Sequence, residues 1–273
     1  MLILVGLFKK VVIADGLAPF VNDTFSQPDR RGSVTLVLGV YAFALQILCD
    51  FSGYSDIARG SSRLLGIELP VNFAQPYLSP NVTTFWRRWH ISLSNWLRDY
   101  LYIPLGGNRG GRTATYRNLI LTMLLGGLWH GAAAKFVIWG GLHGLFLAAE
   151  RAWGVRPADG KPNGRDLPRI LLTFHLVCLA WVFFRAASFG AAVDYLQGIL
   201  VFRSGWPTGD NSLWLAVAAI LVVLFELNQR RQNEQEAALR WPALSRGLAY
   251  GAMATLILIF SGGTPVPFIY FQF

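Results

Sequence analysis

Seven uninterrupted apolar blocks govern what this chain can fold into: residues 2–12, 34–48, 119–128, 136–149, 170–184, 213–227 and 248–260. Several reach or approach the ~17–25 residues that a membrane-crossing helix needs. Their apolar residues run consecutively, whereas the strands of an outer-membrane barrel alternate apolar and polar positions. Charged residues make up only 14% of the 273 residues, against roughly 25% in a soluble domain. The expectation is an all-α, polytopic transmembrane protein.

The formal net charge is +9, and the basic residues stand between the apolar blocks. That placement fits topology determinants on the cytoplasmic side and attraction to anionic membrane lipid; it argues against nucleic acid as a partner. Cys49 and Cys178 both fall in apolar segments, so neither a disulfide framework nor a metal site is expected. Lys9 and Lys10 follow the apolar opening, the reverse of a secretory signal. They suggest a short or interfacial helix end.

The polar interruptions carry the functional information. The 34–48 block runs directly into Cys49-Asp-Phe-Ser-Gly-Tyr-Ser-Asp56. Irregular backbone at membrane depth survives only where protein buries it or it lines water, so this stretch reads as a helix break facing a cavity. Residues 70–80 hold three prolines and read as extended, because a proline disfavours helix in the residue before it. Asn81, Thr83 or Thr84 can cap the next helix, expected over residues 85–101. On it Phe85, Trp89, Ser92, Trp96 and Tyr100 recur at spacings of three and four and would share one face. Arg87, Arg88 and Arg98 make it too polar to cross lipid alone. The segment 106–117, with Arg109, Arg112 and Arg117, reads as a cytoplasmic connection. It lacks the Lys-Ser/Thr ending of a phosphate-binding loop. Residues 154–169 and 229–246 read as polar links, the second with a short solvated helix at 232–240, and residues 265–273 as an aromatic tail.

Each of the four histidines sits in an apolar or aromatic setting. His130 lies in Leu128-Trp-His-Gly131, among small residues that allow close approach. His90 closes Phe85-Trp-Arg-Arg-Trp-His90. Neutral imidazole is compatible with a low-dielectric setting and is the form a general base starts from. On one continuous helix His143 would lie about 20 Å from His130, so it reads as structural or as supporting the site from behind. His175 has no polar cluster around it. There is neither a Gly-x-Ser-x-Gly elbow nor a zinc-type His/Cys cluster. The residues therefore point to a histidine base acting on a hydroxyl in a membrane-enclosed cavity.

The motifs Asp50-Phe-Ser-Gly-Tyr-Ser-Asp56, Asn72-Phe-Ala-Gln-Pro-Tyr77, Phe85-Trp-Arg-Arg-Trp-His-Ile-Ser-Leu-Ser-Asn-Trp-Leu-Arg-Asp-Tyr-Leu-Tyr102, Leu105-Gly-Gly-Asn-Arg109 and Gly127-Leu-Trp-His-Gly-Ala132 resemble the membrane-bound O-acyltransferases. Within that family they resemble the branch that acetylates bacterial alginate, which is related to the D-alanyl transfer proteins of teichoic acid modification. The resemblance covers nearly the whole chain, and Pro267-Phe-Ile-Tyr-Phe-Gln-Phe273 shares it. It implies that residues 1–273 form a single membrane-embedded acyltransferase domain, the C-terminal portion of a longer all-α fold with interfacial or re-entrant helices around a central tunnel. It also implies transfer of an acetyl group from a cytoplasmic thioester, such as acetyl-CoA, to an extracytoplasmic polysaccharide. No bound cofactor is expected. The implied setting is a bacterial inner membrane, multi-pass, with periplasmic acetyltransferases as partners. By the same resemblance His130 is catalytic and His90 lines the reaction tunnel; Asp50, Tyr54, Asp56, Trp86, Trp89 and Trp129 are candidates for its walls. A non-catalytic conduit or scaffold of a polysaccharide-modifying complex is the alternative reading.

Overall fold

The computed structural model describes residues 1–158, 164–206, 210–232, 239, 241–262, 267 and 268. Among them all regular structure is helical: α1 (Leu2–Leu7), α2 (Asp15–Ser26), α3 (Ser33–Leu64), α4 (Val82–Trp86), α5 (Ile91–Leu97), α6 (Gly111–Trp129), α7 (Ala134–Ala152), α8 (Leu167–Arg185), α9 (Phe189–Leu200), α10 (Asp210–Gln232) and α11 (Ala243–Phe260). Each of the seven apolar blocks falls within this helical structure. Three helices, α3, α8 and α11, are long and apolar enough to cross a membrane, and α10 contains a shorter apolar stretch. Most of the short solvated helix expected at 232–240 and of the aromatic tail at 265–273 lies outside the described residues. The chain divides into two compact units, Met1–Pro70 with Gln197–Phe273, and Val71–Leu196.

In the first unit the expected break at Asp50–Asp56 does not occur. α3 runs unbroken for 32 residues through it. The polar residues are accommodated by pairing, not by irregular backbone. Asp50 is 2.7 Å from Lys10, which also reaches Asp15 at 2.8 Å. Asp56 is 2.7 Å from Lys9 and 3.8 Å from Arg59. Nor do Lys9 and Lys10 end a helix. α1 and α2 join through a π-helical turn, Phe8–Ala14. Such a turn inserts an extra residue, and it carries both lysines, which meet the carboxylates of α3. Gly53 serves close approach: a Cβ on Gly6 would stand 2.6 Å from the Gly53 carbonyl, and one on Gly53 2.8 Å from the Gly6 carbonyl. A side chain at either position would push α1 off α3.

In the second unit residues 71–81 are irregular, with one 3-10 turn at Pro76–Leu78, as the prolines predict. Asn81 caps α4, its side-chain oxygen accepting from the Thr84 amide at 2.7 Å. The Glu150 carboxylate of α7 also accepts from the amides of Val82 and Thr83. Carboxylate at a helix N-terminus satisfies otherwise orphaned donors. The single helix expected over 85–101 is instead two, α4 and α5, divided at Arg87–His90. The aromatic stripe divides with it: Phe85 and Trp89 are buried, whereas Trp96 and Tyr100 are exposed. Residues 111–117 of the expected basic connection form the first turns of α6.

Candidate active site

His90 owes its position to the break between α4 and α5. Its φ is 43°, a left-handed conformation that costs an L-residue about 1–2 kcal/mol, though histidine enters it more readily than most. The irregular segment before α4 holds the turn. The Ile91 amide donates to the Asn72 carbonyl at 3.0 Å, and the Ala74 amide to the Arg88 carbonyl at 3.0 Å. The Asn72 side chain accepts from the Ser92 amide at 3.0 Å. Strain held by surrounding hydrogen bonds is a property of functional sites.

His130 caps the C-terminus of α6. Gly131 turns the chain with φ 152°, and its missing Cβ leaves room for the Phe136 ring, which would stand 2.8 Å away. α6 then packs against α7 at glycines: a Cβ on Gly127 would meet the Phe136 carbonyl at 2.2 Å, and one on Gly140 the Met123 carbonyl at 2.1 Å. Backbones this close are the reason small residues mark membrane helix pairs. The close packing places His130 edge-on to Trp139 of α7, with ring centroids 5.1 Å apart. Phe184 of α8 contacts the same imidazole at 5.1 Å.

Trp129 stands with its centroid 4.9 Å from His130 and 6.3 Å from His90. Its indole is 57% exposed, so it marks the open side of the pair. Burial pushes the His90 imidazole down to about 4. Burial acts likewise on His130, also to about 4, and the charge that His90 would carry adds to the push. Both rings are therefore neutral at physiological pH, the state from which imidazole accepts a proton.

His143 is not remote from His130, because the two do not share a helix. The turn at Gly131 folds α7 back on α6, and Trp139 touches both rings, its centroid 5.0 Å from that of His143. Trp86 donates its indole N–H to Nδ1 of His143 at 3.3 Å. Trp89 lies deeper, against Phe73, Phe85 and Trp181. Asp50, Tyr54 and Asp56 belong to the first unit. There both acids are ion-paired, and Tyr54, 45% exposed, lies edge-on to Phe268 at 5.3 Å. His175 is exposed, with Nδ1 2.7 Å from the Leu171 carbonyl of its own helix. Lys135, five residues after His130, turns away from the imidazole and donates to the Ala186 carbonyl at 2.8 Å.

Trp139 and Glu150 escaped the sequence reading. For Trp139 a signal existed: Gly140 and Gly144 mark the face of α7 that meets α6, and the indole borders that face. For Glu150 none did. A cleft of about 360 Å³ opens beside Trp86, with Arg87, Arg98 and Arg151 in its wall and Met123 and Leu147 lining its apolar side.

Comparison with known proteins agrees with the motifs. The chain is 52% identical to a Pseudomonas aeruginosa protein named probable alginate O-acetylase AlgI, over 82% of this chain and 44% of that protein. It is 45% identical to the peptidoglycan O-acetyltransferase of Helicobacter pylori, over 72% of this chain and 37% of that one. With the teichoic acid D-alanyltransferase of Bacillus subtilis the identity is 30%, over 68% and 50%. The chain thus spans about half the length of the curated relatives it matches. The family profile matches residues 1–200, a span that contains the paired lysines and acids, both tryptophan-flanked histidines and the α6–α7 hairpin. On these grounds the chain belongs to the membrane-bound O-acyltransferase family, as a multi-pass membrane protein.

Proposed function

We propose that this chain carries out O-acyl transfer in a bacterial inner membrane, moving an acetyl group from a cytoplasmic thioester to a hydroxyl of an extracytoplasmic polysaccharide. The observation that carries the reading is the pair of neutral imidazoles, His90 and His130, both in ring contact with the exposed Trp129. His130 accepts the hydroxyl proton as the alkoxide oxygen bonds to the acyl carbon. The carbonyl π electrons move to oxygen. On collapse the carbon–sulfur bond breaks, and the departing thiolate takes the proton from His130. Base catalysis of this kind contributes typically about 10²–10⁴-fold. In this reading the role of His90 is to orient the hydroxyl before attack.

The donor side fits the cleft beside Trp86. Arg87, Arg98 and Arg151 suit the phosphates of a carrier such as coenzyme A, and the apolar wall suits the chain that bears the thioester. The acceptor is read from the relatives. Their names place acetyl or D-alanyl groups on alginate, peptidoglycan or teichoic acid, all polymers outside the cytoplasmic membrane. The 52% identity to the alginate relative supports an alginate-like exopolysaccharide as the acceptor, and periplasmic acetyltransferases are the proposed partners that complete delivery. The test is transfer of label from [¹⁴C]acetyl-CoA to polymer by membranes that carry this chain in its full-length context. Label in the polymer, abolished by omitting the chain, is the expected result. Polymer that stays unlabelled while the same cells make acetylated polymer contradicts the donor.

A further inference from the structure

Trp86 fixes the tautomer of His143. An indole N–H only donates, so Nδ1 of His143, 3.3 Å away, is the acceptor. The hydrogen of this imidazole therefore sits on Nε2. His143 is 0% exposed and Trp139 2%. Neither Nε2 of His143 nor Nε1 of Trp139 has a hydrogen-bond partner among the described residues. Buried donors are rarely left this way, because an unmade hydrogen bond forfeits the whole cost of desolvation. These two stand four residues apart on α7 and so share one helix face. That face meets His130 through Trp139. Aromatic neighbours among the described residues, Phe85, Phe146 and Phe184 included, wall the pair off from bulk water.

We infer that Nε1–H of Trp139 and Nε2–H of His143 are the donors that receive the acyl carbonyl oxygen as it becomes an oxyanion, with Trp86 the positioning residue that keeps the His143 hydrogen on Nε2. The inference rests on the acyl-transfer reading above and adds to it the second half of the machinery. His130 takes the proton from the attacking hydroxyl, and the donor pair holds the electron pair displaced onto the carbonyl oxygen. Nothing else changes hands, so the step balances with thioester and hydroxyl alone. Donors held in a water-poor site need no reorganisation when the charge appears. The arrangement explains why the buried face of α7 carries a histidine whose Nδ1 is occupied by a tryptophan and whose Nε2 has no partner among the described residues.

The experiment measures polymer-bound acetate accumulating per unit of membrane-inserted protein, using the full-length chain in cells, with thermal stability in detergent followed alongside. Trp139→Phe keeps the ring and deletes the N–H; its rate is expected to fall by about 10²–10³-fold, the usual cost of one oxyanion donor, at unchanged protein level and stability. His143→Gln retains an N–H donor and should keep more than ~10-fold the rate of His143→Leu, which has none. A purely structural role would move both variants together with their stability. Trp86→Phe should lower the rate less than Trp139→Phe, since the tautomer becomes free and not wrong. A Trp139→Phe rate within two-fold of wild type, or equal rates for His143→Gln and His143→Leu, overturns the donor pair. If Trp139→Phe fails to insert, the contrast between the two His143 variants decides alone. His130→Ala runs beside them. Loss there with Trp139→Phe intact removes only the donor pair, whereas wild-type acetate from His130→Ala removes the acyl-transfer reading itself.

Discussion

In the first unit Asp50 and Asp56 each lie 2.7 Å from a lysine; in the second, His90, His130 and His143 lie among indole and phenyl rings. Both units bury ionisable groups in apolar helical surroundings, where charge is costly. The first answers by mutual neutralisation: the acids of α3 meet lysines from the π-helical turn between α1 and α2. The second answers with groups that are already neutral. An ion pair of this kind holds helices together but has no free valence for chemistry. A neutral imidazole against aromatic walls carries both a donor and an acceptor nitrogen without a charge to bury. Pairing accounts for the charged cluster as structure; the uncharged one is where the proposed acyl transfer puts its chemistry.

The largest effect that can break this comparison belongs to the ion pairs. Lys10→Met leaves the buried Asp50 and the part-exposed Asp15 without their shared cation, and losing one partner of a buried pair costs about 3–5 kcal/mol. The expected outcome is a large fall in membrane-inserted protein and in thermal stability, with acetylation per surviving molecule unchanged. The double variant Lys10→Met with Asp50→Leu should recover part of the loss, since an apolar pair of similar volume removes the stranded charge. Unchanged stability in Lys10→Met, or a rate loss exceeding the loss of protein, would move these residues from structure to chemistry.

A smaller effect separates the units by pH. His90 and His130 have folded-state values of about 4, below the ordinary 6.5 or so of free imidazole. Between these limits the unfolded chain binds more protons, so their contribution to stability rises with pH, and it is lost as pH falls from about 6.5 to 4. Acetylation by membranes should stay flat from about pH 8 to 5 and fall only below that. A midpoint near 6.5 would mean that the imidazoles are not held neutral by burial. The smallest effect is topological. Thr113→Cys, exposed at the start of α6, should react with an impermeant thiol reagent only from the cytoplasmic side, while retaining wild-type activity. Labelling from the periplasm alone reverses the orientation.

The helical class and the apolar blocks could be read from composition and spacing, because uninterrupted apolar runs have few other solutions. The Asn81 cap was also legible, since capping is a local interaction between neighbours in sequence. Continuity through Asp50–Asp56 was not. It depends on Lys9 and Lys10 arriving from another helix, 40 or more residues away in sequence, and no local rule contains that encounter. The break at His90 was hidden for the same reason. The turn contains no glycine or proline; Asn72 and Ala74 impose it from outside. His90 and His130 were singled out by their tryptophans, but the part played by Trp139 needed the α6–α7 hairpin. Only after the turn at Gly131 do two histidines thirteen residues apart in sequence meet the same Trp139 ring.

The most direct test of the account is the rate of polymer acetylation by His130→Ala in the full-length protein, normalised to protein in the membrane and set beside His175→Ala. His130→Ala should lose at least ~10²-fold, with its membrane level retained, because alanine has no group to accept the hydroxyl proton. His175→Ala should acetylate like wild type, since its exposed ring meets only a backbone carbonyl of its own helix. Wild-type acetate from His130→Ala would contradict the central claim and leave a non-catalytic conduit as the better description of the chain.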